Sequence, residues 1–220
     1  MWTSTVNFRD LIQAERWNAT YFEPIANTLT SKFPLVRIGE VVSESKKGRD
    51  PSDFGTELIN YVGLENISQI TGELVKFERR SAAKIKSRSR EFRSGDVLFG
   101  RLRPELNKVL LVGDALGSGI CSNEIIVLRP DHERVQPLYL RYALATDFVQ
   151  DNVKKLRSGG SLPRINSKDL LDLKIPLPPL DTQAELASHL EENENRVAEL
   201  RAELAERTTG ALEKFQSKLS

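Results

Sequence analysis

Residues 173–204, LKIPLPPLDTQAELASHLEENENRVAELRAEL, divide the chain into two parts of different composition. Prolines at positions 176, 178 and 179 end a short apolar run, Leu173 to Leu177, that favours a strand. Asp181 suits the N-cap of a helix, and the residues that follow it contain no proline and a single glycine, Gly210. We therefore predict a domain over residues 1–180 and a long helix over residues 181–220.

The predicted helix carries a seam of residues spaced alternately three and four apart, which is typical of a coiled coil. About 38 residues at about 1.5 Å each would reach about 57 Å, too far for the whole seam to be buried on a small domain. We expect this helix to pair, antiparallel, with the same helix of a second chain, as a homodimer. The alternatives are a helix folded back on its own domain or one that binds another protein. The seam consists of Leu186, Leu190, Asn193, Val197, Leu200 and Leu204, continues through Arg207, and shifts register before Phe215.

Upstream of the helix, short runs with β propensity alternate with Gly, Asp and Asn. Residues 1–34 suggest one or two helices before the sheet, and a further helix begins at Pro137 and is followed by the loop 157–165 and a short helical turn. Strands followed by helices predict an α+β fold, a sheet-rich domain with one long C-terminal helix of coiled-coil type. The predicted strands are Leu35 to Val42, Leu58 to Val62, Leu74 to Phe77, Asp96 to Leu102, Lys108 to Val112 and Ile120 to Leu128.

The composition is that of an ordinary folded chain, with 220 residues, 39% hydrophobic and 29% charged. No apolar run approaches the roughly 18 residues of a membrane span, and the first residues do not form a secretory signal, so we expect a cytoplasmic protein. One cysteine, Cys121, and two distant histidines, His132 and His189, are too few for a zinc site of the usual kind.

The net charge of +1 conceals two regions of opposite charge. Residues 181–220 hold nine acids and five bases, a net charge of −4, which leaves +5 for residues 1–180. Residues 76–108 hold eleven bases and four acids, a net charge of +7. A basic region beside an acidic tail is typical of a protein that contacts nucleic acid, although a solvated charged face would have the same composition.

Three groups of residues are candidates for nucleic-acid contact: the basic segment 76–108, the loop Lys46 to Asp53 and the loop Arg157 to Arg164. Arg101 and Arg103 lie two apart on a predicted strand, so both would project from one face towards base edges, beside Asn107. Basic side chains elsewhere would bind phosphates, and the glycines of the loop 157–164 would let the backbone approach them. The other candidates are Lys46, Lys47, Arg49, Arg79, Arg80, Lys84, Lys86, Arg88, Lys108, Ser158, Gly159, Gly160, Ser161 and Arg164.

Catalysis has little support in the sequence. Asp96, Glu105 and Lys108 are scattered charges without the clustering of a metal-dependent nuclease, and no nucleophile elbow is present. The loop 157–161 lacks the Lys-Ser/Thr ending of a P-loop. We therefore expect a protein that is not itself an enzyme, with no metal and no cofactor.

The order of the motifs resembles the target recognition domain of the Type I restriction-modification specificity subunit, and the resemblance covers essentially the whole chain. The segments that carry it are Arg16-Trp17-Asn18, Tyr21-Phe22, Val36 to Glu40, Tyr61 to Ile67, Gly95 to Pro104, Asn107-Lys108, Ser122 to Pro130, Pro163-Arg164-Ile165, and Leu173 to Leu180 with Gln183.

The resemblance implies a sequence-specific DNA-recognition subunit. A full-length member has two recognition domains separated by two long antiparallel helices, and it docks modification subunits that methylate adenine with S-adenosylmethionine, as well as a restriction subunit in some complexes. This chain has one recognition domain and one helix, so it looks like a half-length subunit that contributes one half-site per chain. The alternative is a structural or regulatory assembly protein whose basic region binds RNA or an acidic partner.

Overall fold

The computed structural model describes residues 30–217, except for the side chains of residues 212 and 213. The one or two helices expected within residues 1–34, and the motifs Arg16-Trp17-Asn18 and Tyr21-Phe22, lie outside the described residues or almost entirely so. No helix in this described part is long and apolar enough to span a membrane.

Twelve short strands precede or separate four α-helices in the described residues. The strands are β1 Leu35–Arg37, β2 Val42–Glu44, β3 Gly48–Arg49, β4 Leu58–Ile59, β5 Tyr61–Val62, β6 Arg80–Ser81, β7 Ser89–Phe92, β8 Val97–Gly100, β9 Val109–Leu111, β10 Gly119–Ser122, β11 Ile125–Pro130 and β12 Lys174–Pro176. The helices are α1 Pro137–Ala145, α2 Asp147–Leu156, α3 Ser167–Asp172 and α4 Leu180–Gln216, with short 3₁₀ turns at Ile38–Glu40, Pro51–Phe54, Leu64–Asn66, Ala82–Lys84 and Pro104–Leu106. The α+β prediction is confirmed.

The central antiparallel sheet, in the order β2-β11-β8-β9, is buried on both faces. Val97 and Phe99 of β8 belong to the core that includes Leu140 and Leu144 of helix α1. The residue between them, Leu98, belongs to a second core on the opposite face. Because neighbouring residues of a strand point to opposite faces, burial of both faces explains why this strand is a continuous apolar run.

A second four-stranded sheet, in the order β3-β7-β10-β5, packs against the central one. Strand β10 is parallel to β5 and antiparallel to β7, whereas β11, which follows it directly, belongs to the central sheet. The chain therefore passes from one sheet to the other at residues 123–124. Two small pairs, β1 with β12 and β4 with β6, complete the strand pairing.

Several predicted boundaries were wrong. Residues 74–77 form no strand, since Leu74 makes only an isolated bridge to Ile67. The run Ile120 to Leu128 is two strands, β10 and β11, and the strand predicted from Asp96 to Leu102 ends at Gly100. The helix after Pro137 is interrupted by Thr146, whose extended backbone ends α1 and begins α2.

Helix α4 begins at Leu180 and continues to Gln216, so the predicted long helix is confirmed. Its first turns pack on the domain through Gln183 and Ala187, which are buried. The Gln183 side chain donates to the carbonyls of Pro178 and Arg134 at 2.8 and 3.1 Å and accepts from the Gln136 amide at 2.9 Å. The bonds with residues 134 and 136 fix the start of the helix to the segment that precedes α1, and the bond to Pro178 fixes it to the residues that directly precede α4.

Candidate nucleic-acid interface

Two loops that are far apart in the sequence, residues 101–108 and 157–165, are joined by backbone hydrogen bonds, and we call them the paired loops. The Arg103 amide donates to the Pro163 carbonyl at 2.8 Å, and the Ile165 amide donates to the Arg101 carbonyl at 3.1 Å. Within the second loop, Ser158 and Arg164 exchange two backbone hydrogen bonds of 2.8 Å each. Two of the predicted groups of candidates therefore lie together.

Arg101 and Arg103 do not project from one face of a strand, and that prediction was wrong. Strand β8 ends at Gly100: Arg101 still donates to Glu124, but beyond this bond the backbone pairs with residues 163 and 165 of the second loop. Arg103 has the left-handed φ of 46° and an exposed side chain, with Nη2 3.5 Å from the Ser161 carbonyl. Arg101 is half-buried, and its Nε has no hydrogen-bond partner among the described residues. Arg103 is thus the more accessible of the two.

Two ion pairs stabilise the paired loops. Arg164 binds Glu124 through Nη2 to Oε1 at 2.7 Å and Nε to Oε2 at 2.9 Å. These hydrogen bonds hold the pKa of the Glu124 carboxyl below its ordinary value. Arg157 Nη1 lies 2.8 Å from Glu105 Oε2. Arg164 was predicted to contact DNA, and the structure uses its guanidinium to fasten the loop to the turn between β10 and β11.

Asn107 and Lys108 also bond within the protein. The Asn107 side-chain amide donates to the Ala145 carbonyl at 2.8 Å, and the residue has the left-handed φ of 49°. Lys108 Nζ donates to the Leu64 carbonyl at 2.5 Å, and burial lowers the pKa of its ammonium despite the neighbouring Glu65. Both side chains hold the backbone of the paired loops in position.

A hollow of about 490 Å³, the basic cleft, lies beside the second sheet. Its basic lining comprises Lys47, Arg49, Arg79, Arg93 and Arg129. Glu91 pairs with Lys47 at 2.7 Å and with Arg49 at 3.0 Å. Arg129 pairs with the buried Asp96, with Nε 2.9 Å from Oδ1 and Nη2 3.0 Å from Oδ2. Since five cations face two carboxylates here, the cleft has an excess of positive charge that suits an anion.

Sequence reasoning missed Arg93 and Arg129, which join three predicted residues in the basic cleft. Arg93 was counted only in the total charge of residues 76–108, and Arg129 lies outside that segment. Residues Phe92 to Gly95, which precede an apolar strand, could have indicated a turn after β7. They do not indicate that β7 pairs with β3. The convergence depends on pairing of β7 with β3 and with β10, whose paired residues are 40 to 42 and 27 to 33 residues apart in the sequence.

The remaining basic candidates lie elsewhere on the surface. Arg80 pairs with Glu65 at 2.7 Å and stacks 5.0 Å from the Tyr61 ring, with Arg79 and Lys84 lining the same shallow hollow. Lys46 lies 3.6 Å from Glu44. Lys84, Lys86 and Arg88 are exposed. Ser158, Gly159, Gly160 and Ser161 form the exposed tip of the paired loops beside Arg103.

The seam of helix α4 is exposed along the described chain. Its large apolar side chains are between 45% and 66% exposed. Glu194 and Arg201 lie on the side of the helix nearest the domain, where Glu194 accepts from Arg141 at 3.0 Å and from the Tyr142 hydroxyl at 2.9 Å. Arg201 Nη1 lies 3.9 Å from Glu73 Oε2. The domain covers this neighbouring side and leaves the seam free.

Comparison with known proteins gives one consistent result. The chain is 24% identical over 165 residues to the Type I restriction enzyme EcoDI specificity subunit of Escherichia coli, covering 75% of this chain and 35% of the relative. It is 30% identical over 193 residues to the putative Type I restriction enzyme MjaX specificity subunit of Methanocaldococcus jannaschii, covering 83% and 39%. The crystal structure of the HsdS subunit from Thermoanaerobacter tengcongensis superposes with a TM-score of 0.69 at 30% identity, covering 82% of this chain and 46% of that one.

The chain therefore spans less than half the length of these relatives. The family model for the Type I restriction modification DNA specificity domain matches residues 84–207, more than half of the chain. The match includes the paired loops, strands β8, β9 and β11 of the central sheet, and most of helix α4. The chain belongs to the family of Type I restriction-modification specificity subunits.

Proposed function

We propose that this chain recognises one half-site of a bipartite DNA target and directs a Type I modification subunit to it. Methylation, with S-adenosylmethionine as its cofactor, and cleavage by a restriction subunit where one is present, belong to the partner subunits in this proposal. The chain itself supplies DNA recognition and assembly, in the cytoplasm where the DNA lies.

The observation that carries the proposal is the pairing of the two loops. Their backbone hydrogen bonds and the Glu124–Arg164 ion pair present Arg103 on a braced, exposed tip next to Gly159 and Gly160. An arginine that binds guanine needs a fixed approach to the base edge, because its bidentate contact is directional. Glycines beside it allow the backbone to come close to the sugar-phosphate chain.

The basic cleft supports the second part of DNA binding, which is contact with phosphates. Its cations lie on strands β3 and β11 or directly beside β3, β6 and β7, so the paired strands hold them at fixed separations. Phosphate contacts position a protein on the duplex without distinguishing sequences. We assign the paired loops to base recognition and the basic cleft to contact with the phosphates of the DNA.

The exposed seam supports assembly through helix α4. Burying each large side chain of the seam would stabilise a complex by about 1.5 to 3 kcal/mol, and soluble monomers seldom expose a continuous apolar stripe. We propose an antiparallel homodimer, which would place one recognition domain towards each end of the helix pair and would recognise two inverted half-sites.

The test is to express the chain with the modification subunit of its own host and to map methylated adenines in the DNA. We expect one bipartite motif whose methylation is lost when this chain is omitted. A matched strain should carry the chain with Arg103 replaced by Ala, which should relax or abolish the motif. Unchanged methylation without the chain, or purified chain that binds duplex DNA of random sequence and of the mapped motif equally well, would contradict the proposal.

A further inference from the structure

The two sides of the seam on helix α4 carry opposite charges in a regular order. Arg196 and Glu203 lie seven residues apart on the side that faces away from the domain, which we call the open flank. Glu194 and Arg201 lie seven residues apart on the side that packs towards the domain, which we call the domain flank. Residues seven apart on a helix occupy the same angular position two turns apart, so each flank has one acid and one base in line.

These charges disfavour a parallel pair of helices. Parallel pairing would place Arg207 of the seam against Arg207 of the second copy. It would also bring Arg196 on the open flank close to Arg201 on the domain flank of the second copy, which has the same charge. In coiled coils, charges beside the seam set the orientation of the partners, because like charges that meet across it repel.

Antiparallel pairing brings each flank against the same flank of the second copy, and only some alignments then match the charges. We propose that a second copy of this chain binds antiparallel with the two-fold axis passing between Val197 and Leu200. This inference rests on the homodimer of the proposed function and gives it a register. Arg196 then lies opposite Glu203 of the second copy, and the two-fold axis repeats this contact.

The same alignment satisfies the seam and the domain flank. Val197 packs against Leu200 of the second copy, and Asn193 lies opposite Leu204. On the domain flank, Glu194 lies opposite Arg201 of the second copy, so that four oppositely charged contacts form in the dimer. Within one chain Arg196 pairs with Glu199 at 2.9 Å. Such exposed pairs contribute little to stability, so their exchange for contacts between chains costs little.

Alignments shifted by one heptad put like charges together. A shift towards the start of the helix moves the axis to residue 195 and places Arg196 against Arg196 of the second copy. A shift towards the end moves it to residue 202 and places Glu203 against Glu203. The charges on the open flank therefore favour the central alignment over both alignments that differ from it by one heptad.

Disulfide crosslinking between two differently substituted chains tests the register directly. Chains with Val197→Cys and chains with Leu200→Cys are mixed and oxidised, and we expect a mixed crosslink in greater yield than either variant gives alone. The pairs Asn193→Cys with Val197→Cys, and Leu200→Cys with Leu204→Cys, report the two shifted alignments. The native Cys121 is fully buried, and burial raises the pKa of its thiol to about 12, so it does not compete.

Charge reversal tests the contacts on the open flank. Arg196→Glu should raise the dimer dissociation constant about tenfold or more, and Arg196→Glu with Glu203→Arg should restore it to within about threefold. Glu206→Arg is the matched control, since this exposed residue lies away from the seam and its flanks. Circular dichroism of each variant checks that the helix is retained.

The outcomes separate this inference from the proposed function. A wild-type chain that sediments as a monomer at tens of micromolar overturns both the homodimer and its register, while DNA recognition is tested by methylation mapping. A wild-type dimer whose best mixed crosslink comes from a shifted pair, or whose affinity is unaffected by Arg196→Glu, overturns the register alone.

Discussion

Nη1 of Arg141 lies 3.0 Å from both carboxylate oxygens of Glu194, so a buried arginine of helix α1 is bonded directly to the long helix. The guanidinium also lies 4.3 Å from the Tyr142 ring, and the Tyr142 hydroxyl donates to the same carboxylate. Burial and the hydrogen bond to Glu194 raise the pKa of the Tyr142 hydroxyl, which keeps it protonated as a donor. This contact lies eleven residues after Gln183 and holds the middle of the helix to the domain.

Replacing Glu194 with Gln should destabilise the protein, because the buried Arg141 side chain would lose its counter-charge. We expect a loss of about 2 kcal/mol in the free energy of unfolding, less than for a fully buried pair because Glu194 is partly exposed. Urea denaturation measures the loss. Glu192→Gln is the control, since Glu192 is exposed on the same helix, and equal effects of the two substitutions would refute the role of the contact.

The Glu124–Arg164 ion pair predicts a stability that depends on pH. The pKa of Glu124 is lowered in the folded protein, so its contribution is present above the ordinary glutamate value of 4.5 and is lost as the pH falls through the lowered pKa. Glu124→Gln should therefore be less stable than the wild type at pH 7, and the difference should shrink below about pH 4.5. Urea denaturation from pH 7 to pH 3 checks this, and a difference independent of pH would contradict it.

Arg103→Ala should reduce sequence preference more than general affinity for DNA. Loss of a base contact costs about 1 to 3 kcal/mol at one position of the target. Arginine and alanine are similarly strained at this left-handed φ, so the loop should keep its conformation. Binding to the methylation motif and to single-base variants of it measures the effect. Lys174→Ala on β12 is the control, and undiminished discrimination in Arg103→Ala would be evidence against base recognition by Arg103.

Arg79→Ala and Arg93→Ala in the basic cleft should weaken binding to all sequences alike. Each lost phosphate contact should reduce the slope of log affinity against log salt by about 1. Titrations with target and random duplexes between 50 and 200 mM salt, approximately the range in which counterion release is large, measure both slopes. If either substitution alters the preference among sequences while the slope stays the same, phosphate binding is the wrong assignment.

Asn107→Ala should lower stability without changing the preferred DNA sequence. The variant loses the hydrogen bond to the Ala145 carbonyl, which is worth about 1 kcal/mol, and puts alanine at a left-handed φ that asparagine tolerates better. Thermal unfolding measures the change, and Asn107→Asp tests whether a residue of the same shape is sufficient. A stable Asn107→Ala protein with altered base preference would restore Asn107 as a base contact.

Local pattern was enough to predict the long helix and two strands of the central sheet, β8 and β9. Strands β8 and β9 are short apolar runs between turn residues, and α4 has the seam and lacks internal proline. The same reasoning missed β7, because Ser89-Arg90-Glu91-Phe92 has two charged residues in its middle. Both use their charges in ion pairs, Arg90 with Glu44 and Glu91 with Lys47.

The candidate site was predicted less completely because it is built from contacts distant in the sequence. Nothing near Arg101 indicates that its carbonyl accepts from Ile165, yet this bond helps to turn the backbone away from the strand and separates the two arginines. Likewise, the side chains of Asn107 and Arg164 are of types that commonly bind DNA. Only the folded chain reveals that Asn107 donates to the Ala145 carbonyl and that Arg164 pairs with the Glu124 carboxylate.

The three hydrogen bonds of the buried Gln183 also have a mechanical consequence. Helix α4 is held to the domain at Gln183 and, eleven residues later, at Glu194, and it extends about 33 Å beyond this second contact. A tilt of about 6° at these contacts would move the far end by about 3.4 Å, which is the rise between neighbouring base pairs. In the proposed dimer, substitutions at residues 183 and 194 would therefore change the distance between the two half-sites, while leaving the bases recognised in each half-site the same.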